Sequence, residues 1–497
     1  MELSPSTEIE LKLHVPLDRV AAVEHALRDR VRATRTHLQA AYYDTPDERL
    51  AAAGLAWRVR REGRRWVQTL KSSELNGDGM HREEHNIVIH GREWPDANAS
   101  LHADTPAGER LAAVLKDIAD DNEPPPAERF RTDVWRIERT VRVPGGQVTI
   151  SFDKGEIRTG DATTPVCEVE IELKTGRPAA VIDTATRWVE RHGLWLDTIN
   201  KAQRGGMLAR GAVLAPVIKA VPANLDAEWS IDAATREMVR ACLVQVIRNT
   251  SALANDVGDA NHVHQARIGV RKLRTVIREF GKGNSAIDTT WEPRLRDYFN
   301  QLGTSRDLEV VAAMGPEIEA AGGPAIDLHA STSSVDPIAI ARDPELTLLV
   351  LELFGYVHGT PVPRQSEGEL IEAVSSRLQK LHRRALKRHD RFPKLPEEER
   401  HAIRKRLKRL RYTAELTASL FPSKRVARYL RQITPAQEAL GELNDLAVAR
   451  NTFKSLSEHD PNAWFAVGWA AAQGPHAIAR CAKPLARAAD ADRYWRD

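Results

Sequence analysis

The sequence predicts an α+β protein in two parts, a closed antiparallel β-sheet with outer helices followed by an all-helical region. Short segments of alternating apolar and polar residues recur up to about residue 210, separated by turn sequences such as PGG at 144–146. From about Trp229 onward the alternation disappears and long stretches carry helical periodicity. The length of 497 residues is sufficient for two or three domains, each with its own core.

The predicted strands of the first part alternate strictly. In the first, TEIELKLHV (7–15), the odd positions are apolar, whereas Glu8, Glu10 and Lys12 are charged. Further segments follow the same pattern at 56–63, 65–72, 81–90, 134–143, 146–157 and 165–176. Helical patterns interrupt them at 17–30, 106–120 and 178–192. Many strands with few helices predict one closed sheet with the helices outside it.

The charged faces of these strands are predicted to line a lumen. For the first segment alone, an edge strand with a solvated face is the stronger interpretation. The same charge alternation recurs, however, in EVEIELK (168–174), around Arg58 and Arg60, and in REEHN (82–86). A closed sheet whose apolar faces pack on outer helices must enclose the charged faces. Because buried charges need partners, we expect them to pair with each other, with a metal ion or with a ligand.

This combination of charges predicts metal-assisted phosphoryl transfer. Clustered carboxylates of the Glu-x-Glu kind supply oxygens suited to Mg²⁺ or Mn²⁺. The surrounding basic side chains suit phosphate oxygens, arginine through bidentate hydrogen bonds and lysine as a point charge. The sequence contains no P-loop pattern and no kinase motif set that would indicate a different phosphoryl-transfer site.

Eight motifs stand in order over about residues 1–210. They are EIELK (8–12), RVR (58–60), TLKS (69–72), HREEHN (81–86), FRTDVW (130–135), FDKGEI (152–157), PVCEVEIELKTG (165–176) and NKAQRGG (200–206). Together they resemble the CYTH family, the triphosphate tunnel metalloenzymes. The resemblance implies an eight-stranded antiparallel tunnel that hydrolyses or transforms triphosphate groups with a divalent metal.

The resemblance also implies roles for individual residues. The metal would be held by Glu8, Glu10 and a carboxylate of the EVEIE strand, for which Glu170 is preferred and Glu168 and Glu172 are alternatives. The residues implied to hold the triphosphate are Lys12, Arg58, Arg60, Lys71, Arg82, Arg131, Lys201 and Arg204. The implied catalytic set is Glu8, Glu10, Lys12 and Lys71. Asp153 is a further acidic candidate, and a simple turn residue in DKG is an equal alternative for it.

The reaction that we expect is metal-dependent hydrolysis of inorganic triphosphate to diphosphate and phosphate. No nucleobase pocket is recognisable, which favours a bare triphosphate as substrate. Hydrolysis of nucleoside or thiamine triphosphate and cyclic-nucleotide formation are the enzymatic alternatives. The non-enzymatic alternative is a binding or scaffold protein whose tunnel only holds phosphate ends. The intact set of acidic residues favours the enzyme, an inorganic triphosphatase.

The helical part contains an internal repeat. HQARIGVRKLR (264–274) and HAIRKRLKRLR (401–411) share a leading histidine, an arginine three positions on, basic residues seven and eight on, and an arginine ten on. LGTSRDLEV (302–310) and LGELNDLAV (440–448) follow at nearly the same distance. Steps of three and four place the basic residues on one stripe of each helix beside an apolar stripe. Each helix is therefore predicted to pack by one face and to carry a cationic seam.

The seams predict a polyanionic ligand. Residues 377–411 contain fifteen Lys and Arg against four Asp and Glu, whereas the whole chain has a net charge of only +3. Little aromatic content accompanies this charge, which disfavours nucleic acid and favours a plain phosphate chain. About residues 229–490 resemble the CHAD family, the conserved-histidine α-helical domain, which implies paired helical bundles that bind inorganic polyphosphate.

The binding residues expected on the seams are His264, Arg267, Arg271, Lys272, Arg274, His401, Arg404, Lys405, Lys408, Arg409 and Arg411. For the two histidines, hydrogen bonds to phosphate or to a neighbouring helix are favoured over metal binding. The first repeat has Arg306-Asp307 where the second has Asn444-Asp445, so the second copy is predicted to carry less charge at that point.

Other features bear on location and boundaries. Three widely separated cysteines argue against a disulfide framework or a zinc site and suit a reducing compartment. No signal peptide and no run of 18 apolar residues is visible, so we expect a cytoplasmic protein with no membrane partner, placed at polyphosphate granules if its helical part recruits it there. The expected domains are 1–210 and 229–490, joined by a linker at 211–228, and a loop at 320–339 divides the helical part.

Overall fold

The structure is a computed structural model that describes residues 6–28, 33–72, 77–90, 94–326, 328 and 336–496, without the side chains of residues 6–7 and 304–309. The strands in this part of the chain are β1 (Ser6–His14), β2 (Thr34–Asp44), β3 (Leu55–Glu62), β4 (Arg65–Ser72), β5 (His81–Ile89), β6 (Ala127–Val143), β7 (Gly146–Thr159), β8 (Ala162–Gly176) and β9 (Trp195–Leu196).

Eight of these strands close into an antiparallel barrel. The order is β5-β4-β3-β2-β6-β7-β8-β1-β9, and β1 also pairs with β5. The first residues of β1 pair with His81–Glu84, which closes the barrel, whereas β9 pairs with the end of β1 at Leu13 and His14. The closed sheet predicted from the alternating segments is therefore confirmed.

Outer helices cover the apolar faces of the barrel strands. The helices of this part are α1 (Val20–Arg28), α2 (Arg49–Ala52), α3 (Pro106–Asp120), α4 (Pro178–His192) and α5 (Lys201–Arg210). Leu50 of α2 and Leu111 of α3 pack with Leu55 of β3 and Leu70 of β4 in one buried cluster. Because side chains alternate along a strand, the residues between these apolar positions point into the lumen.

The predicted limits of α3 and α4 agree with the structure because their ends carry clear signals. Thr105 accepts a hydrogen bond from the Gly108 amide, and Pro106 occupies the first turn of α3. Gly193 ends α4 with a φ of 64°, a left-handed conformation that glycine adopts without strain.

Helix α5 was not predicted as a helix, and it differs from the outer helices in position. Its Ala202 and Leu208 pack against Tyr42 and Phe130, which lie on the lumen side of their strands, so α5 covers one end of the lumen. A Cβ atom on Gly205 would lie 2.2 Å from the Phe130 ring, so the glycine permits this close approach.

The rest of the described chain is helical, and residues 211–230 contain neither helix nor strand. The helices are α6 (Ile231–Ala254), α7 (Ala260–Phe280), α8 (Trp291–Ala320), α9 (Pro337–Ala341), α10 (Pro344–Val357), α11 (Glu369–Leu386), α12 (Glu397–Leu416), α13 (Ser423–Leu456) and α14 (Ala463–Ala489). Among the described residues, none of these helices combines the length and the apolarity needed to cross a lipid bilayer.

The repeat in the sequence recurs in the order of the helices. The segments that begin with His264 and His401 lie on α7 and α12, and the two LG motifs lie on α8 and α13. The helical C-terminal region is thus confirmed. The side chains of Arg306 and Asp307 lie outside the described part of the chain, as do residues 327 and 329–335 of the predicted loop at 320–339.

The chain forms two compact units. The first contains Met1–Lys219, Val244–His262 and Ala341–Gly359, and the second contains Ala220–Leu243, Val263–Ile340 and Thr360–Asp497. The first unit is therefore not one continuous segment, because it includes the end of α6 and all of α10. The predicted domain limits of 1–210, 211–228 and 229–490 remain predictions.

Candidate functional site

The lumen of the barrel contains charged side chains from seven of its strands. They are Glu8, Glu10 and Lys12 on β1, Arg58 and Arg60 on β3, Lys71 on β4, Arg82 and Glu84 on β5, Arg136 on β6, Asp153 on β7, and Glu168 and Glu170 on β8. In the β1–β8 pairing, Lys12 lies opposite Glu170 and Glu10 lies opposite Glu172. The antiparallel register thus brings together residues that are far apart in the sequence.

Three acidic residues of the lumen, Asp153, Glu168 and Glu170, form what we call the carboxylate cluster. One oxygen atom from each lies within 4.8 Å of the others. The Lys201 ammonium nitrogen lies 2.7 Å from Asp153 and 2.9 Å from Glu170, and it also contacts Glu168. Both Nε and Nη2 of Arg136 donate to Asp153 at 2.7 Å. In this structure a lysine ammonium therefore occupies the position that a bound cation would take.

Neighbouring cations keep Asp153 and Glu170 of the carboxylate cluster ionised. Burial alone would raise the pKa values of Asp153 and Glu170, but Arg136 and Lys201 more than offset it and hold both pKa values below their usual range. Conversely, burial would lower the pKa of Lys201, and the carboxylates raise it well above its usual value. Such mutual stabilisation of opposite charges is what makes their burial tolerable.

One oxygen of the carboxylate cluster lacks a donor. Glu168 is fully buried, and within the described part of the chain its Oε2 atom has no hydrogen-bond partner. The nearest cations are Lys12 at 3.6 Å and Arg204 at 3.8 Å. A buried carboxylate oxygen without a hydrogen bond calls for a ligand, and three oxygen donors suit a hard divalent cation.

A second acidic pair in the lumen shares a proton. Burial raises the pKa of Glu8 to about 8, so at neutral pH its carboxyl is protonated and hydrogen-bonded to Glu84. Burial would also raise the pKa of Glu84, but Lys71 and Arg58 hold it well below its usual value. Lys71 lies 3.3 Å from Glu8, and Arg58 lies 3.6 Å from Glu84. This pair thus contacts Lys71 and Arg58, whereas the carboxylate cluster contacts Lys201 and Arg136.

Asp197 lies at the centre of a network that holds Arg204 of α5 and Lys12 of β1. Arg204 pairs with Asp197 and donates to Asn255 Oδ1 at 3.1 Å, while Asn255 Nδ2 donates to Asp197 at 3.1 Å. Lys12 lies 3.7 Å from the same carboxylate. Asn200 and Gln203 form a reciprocal capping pair at the start of α5, which fixes its first turn.

Two residues expected in the site lie elsewhere. Arg131 is on the opposite face of β6 from Arg136, is 46% exposed, and donates to Glu128 at 2.6 Å. Glu172 is partly exposed and lies 2.8 Å from Lys174 rather than in the carboxylate cluster. By contrast, the structure brings Lys12, Arg58, Arg60, Lys71, Arg82, Lys201 and Arg204 to the lumen.

Three lumen residues were not among the expected site residues. The charge alternation already predicts that Glu84 and Arg136 line their strands on the lumen side, but neither was expected to have a role in the site. Asp197 is a single acid between β9 and α5, with no periodic pattern around it. Nothing in the sequence alone distinguishes it from a loop residue.

In the second compact unit, α7 and α12 bring four cations together, which we call the cationic cluster: Arg267, Arg271, Arg404 and Lys408. Burial, Arg271 and Arg404 lower the pKa of Lys408 to about 6. Burial and Arg271 also lower the pKa of Arg404 to about 10. Arg267 and Arg271 stack on the Phe299 ring at 4.7 and 4.8 Å. Such concentrated positive charge favours binding of an anion.

Other seam residues have acidic or polar partners. Lys272 and Arg411 share Glu415 at 2.8 and 2.6 Å, Arg274 lies 2.9 Å from Glu292, and Arg409 lies 3.4 Å from Glu279. His264 is half-buried on α7, and Lys405 is exposed on α12. The predicted seams are therefore only partly neutralised within the unit.

A cleft of about 880 Å³ opens between α12, α13 and α14 of the same unit. Its lining includes His401, Arg404, Lys405, Asn444 and Arg450. Burial and the neighbouring Lys405 lower the pKa of His401, whereas its hydrogen bond with Asn444 has the opposite effect. Arg404 thus borders both the cleft and the cationic cluster.

Two protein families match this chain, and the boundary between the matches lies between residues 205 and 237, where the sequence pattern also changes from strands to helices. Residues 6–205 match the CYTH domain family, and residues 237–454 match the CHAD domain family. The inorganic triphosphatase of Haemophilus influenzae is 27% identical over 209 residues, which are 42% of this chain and 54% of that protein. The chain therefore spans about half the length of this curated relative.

Among solved structures, the CHAD domain from the plant Ricinus communis is 26% identical, with a TM-score of 0.45, covering 55% of this chain and 96% of that chain. A putative adenylate cyclase from Bacillus halodurans is 19% identical, with a TM-score of 0.28, covering 41% of this chain and 98% of that chain.

Proposed function

This chain combines a CYTH domain with a CHAD domain, and from that premise we propose that it is a metal-dependent inorganic triphosphatase with a polyphosphate-binding helical part. The observation that supports the enzymatic role most strongly is the lumen, where a carboxylate cluster lies among cations from six elements, β1, β3, β4, β5, β6 and α5. A bare triphosphate carries several negative charges and needs this density of cations, whereas it needs no base-binding pocket.

The proposed metal is Mg²⁺ or Mn²⁺, held by the carboxylate cluster with Glu10 and Glu8 as further ligands, and Glu8 would release the proton that it shares with Glu84 when the metal binds. Oxygen donors and the unpartnered Oε2 of Glu168 suit such an ion. When bound, the metal polarises phosphoryl oxygens and neutralises charge that develops on them. Lys201 would then leave the carboxylate cluster, and its ammonium group would be available for a phosphate oxygen.

The remaining lumen cations bind and orient the substrate in this proposal. Arg58, Arg60 and Arg82 offer planar donors to phosphate oxygens, and Lys12 and Lys71 act as point charges. Water adds to the terminal phosphorus, the bond between that phosphorus and the bridging oxygen breaks, and diphosphate and phosphate leave. Because phosphoryl transfer depends on positioning and charge neutralisation, a rigid barrel lined by fixed cations is an appropriate scaffold.

A phosphate-release assay on the full chain tests this proposal. After chelator treatment, Mg²⁺ or Mn²⁺ would be added with inorganic triphosphate, ATP, thiamine triphosphate or long polyphosphate. We expect metal-dependent release that is fastest with inorganic triphosphate. Faster hydrolysis of ATP or thiamine triphosphate would identify that compound as the preferred substrate instead. Binding of triphosphate without hydrolysis would indicate a scaffold protein.

For the helical part, we propose binding of inorganic polyphosphate through the cationic cluster and the neighbouring seam residues, in the cytoplasm or at polyphosphate granules. Phosphate binding releases condensed counterions, so the affinity should fall steeply as salt increases. Long polyphosphate should displace nucleic acid from the full chain at lower phosphate concentration than the reverse. Tighter binding of nucleic acid would contradict the proposed ligand.

A further inference from the structure

The first compact unit contains a second group of metal-ligating side chains, separate from the carboxylate cluster. Asp78 lies in the turn before β5, His81 is the first residue of β5, and His358 follows α10. One ligand atom from each lies within 4.8 Å of the others. Gly79 has a φ of 86°, which lets the turn bring Asp78 back beside His81.

The separations in this group are those of metal ligands. Nε2 of His358 lies 3.0 Å from Asp78 Oδ2, and Nδ1 of His81 lies 3.9 Å from Asp78 Oδ1. With metal–ligand bonds of about 2.0–2.2 Å, neighbouring ligands of a tetrahedral ion lie about 3.3–3.5 Å apart. The observed distances fall on both sides of that value, so small side-chain movements would complete the geometry.

Both imidazoles lie within reach of the Asp78 carboxylate, but the geometry at His358 is irregular. The Nε2 atom of His358 is buried, and within the described residues it has no hydrogen bond of regular geometry, although Asp78 Oδ2 lies 3.0 Å from it. The Asp78 carboxylate is oriented from the other side, because its Oδ1 accepts a hydrogen bond from the Met80 amide at 3.0 Å. A carboxylate that is fixed by a backbone donor and faces two imidazoles is an arrangement that metal sites use to orient their ligands.

The donor set indicates the class of metal. Two imidazoles and one carboxylate suit zinc and similar borderline ions, whereas magnesium prefers oxygen ligands. Arg248 donates to the Gly77 carbonyl at 3.0 Å, so a positive charge lies nearby and raises the cost of binding any cation here. His81 is 43% exposed, which leaves access for a water molecule as the fourth ligand.

We propose that Asp78, His81 and His358 bind a zinc-class divalent cation, with water completing the coordination. The ion would tie the residue after α10 to the turn that leads into β5. Because β5 carries Arg82 and Glu84 two and four positions beyond the turn, the ion would fix the start of a lumen strand. The site does not depend on the proposed hydrolysis and is tested without it.

Cobalt and zinc titrations of the chelator-treated full chain test the site. Co²⁺ should give the intense visible absorption of a four-coordinate imidazole site, one such site per chain beside any Co²⁺ bound by the lumen carboxylates, and Zn²⁺ should raise the unfolding temperature. Loss of a ligand in His81→Ala or His358→Gln should weaken Co²⁺ binding on the order of 100-fold or more, since loss of even an outer partner costs about 10–100-fold. His459→Ala, which removes an exposed histidine, should bind like the wild type.

The variants also separate this site from the lumen. Glu170→Gln should retain the cobalt spectrum, because Glu170 belongs to the carboxylate cluster. His81 is exposed, so its replacement leaves the fold intact and removes only a donor. Unchanged Co²⁺ affinity in both histidine variants, no stabilisation by Zn²⁺, or loss of the spectrum in Glu170→Gln would each overturn the proposal and leave an ion pair between Asp78 and His358.

Discussion

Glu170 and Glu172 lie two positions apart on the same face of β8, yet their surroundings differ. Glu170 contacts Lys201 and Arg136 and belongs to the carboxylate cluster. Glu172 is partly exposed and pairs with Lys174. The alternation of EVEIE cannot separate the two, because it fixes only the face on which a side chain lies. The choice between them depends on which partner strand and helix lie opposite.

At the residue scale, the first prediction compares these two glutamates. Glu170→Gln should lower metal-dependent hydrolysis of triphosphate by at least about 100-fold, because loss of a ligand charge removes several kcal/mol of charge stabilisation. Glu172→Gln should retain most of the activity. Steady-state phosphate release at saturating Mg²⁺ or Mn²⁺ measures both variants. Equal losses in the two would contradict the assignment of the metal to the carboxylate cluster.

The second prediction compares two arginines that the sequence suggested equally. Arg60 is half-buried in the lumen, so Arg60→Ala should reduce kcat/KM for triphosphate by about ten- to hundred-fold, the value of a hydrogen bond to a charged group. Arg131 lies on the outer face beside Glu128, and Arg131→Ala should leave kcat/KM unchanged. Metal affinity should be the same in both. A loss only in Arg131→Ala would reverse the assigned orientation of β6.

At the scale of elements, the sequence predicted the strands and helices that bury only one of their faces. Most barrel strands alternate clearly because one face meets helices and the other meets charge. Strand β2 was missed because Ala40, Ala41 and Tyr42 are buried in succession, so both of its faces are covered and no alternation results. Helix α5 was recognised only as a motif, since its short sequence packs over the lumen end and has no outward polar stripe of normal length.

The third prediction concerns the uptake of a proton by Lys408 of α12 when polyphosphate binds. With a pKa of about 6, Lys408 is largely neutral at pH 7.5 in the free protein. Bound polyphosphate would favour its ammonium form and raise this pKa, so binding takes up close to one proton. Between pH 6 and the ordinary lysine pKa of about 10.4, affinity should therefore rise as pH falls, by at most about tenfold per pH unit.

Calorimetry in buffers of different ionisation enthalpy measures this proton uptake directly. Lys408→Arg keeps a permanent charge and should remove the uptake, whereas Lys405→Arg, on the exposed side of the same helix, should keep it. Equal uptake in the two variants would show that another group titrates. Folding has the opposite pH dependence: the unfolded chain binds more protons at this lysine, so the stability contributed by Lys408 rises with pH across the same window.

At the scale of the whole molecule, the folded units do not follow the order of the sequence. The first compact unit includes residues from the helical half, and Asn255 there completes the network around Asp197 and Arg204. Thr347 of α10 accepts a hydrogen bond from the Leu196 amide at 3.1 Å, and Arg342 stacks on Trp195. Composition separates the chain near residue 210 but cannot reveal such contacts, because they are long-range pairings of single polar residues.

The fourth prediction tests whether this helical segment supports the lumen. Asn255→Ala removes the donor to Asp197 and the acceptor for Arg204, and Asp197 is buried. Asp197 and Arg204 remain paired, but each loses one hydrogen bond to a charged group, which should cost about 1.5–3 kcal/mol. Both the unfolding temperature and kcat/KM for triphosphate should fall, the latter because Arg204 loses its fixed position. Asn261→Ala is the matched control, since this exposed asparagine side chain donates within its own turn to Asp259 at 3.0 Å. If Asn255→Ala and Asn261→Ala unfold and hydrolyse alike, the helical half does not hold the lumen cations in place.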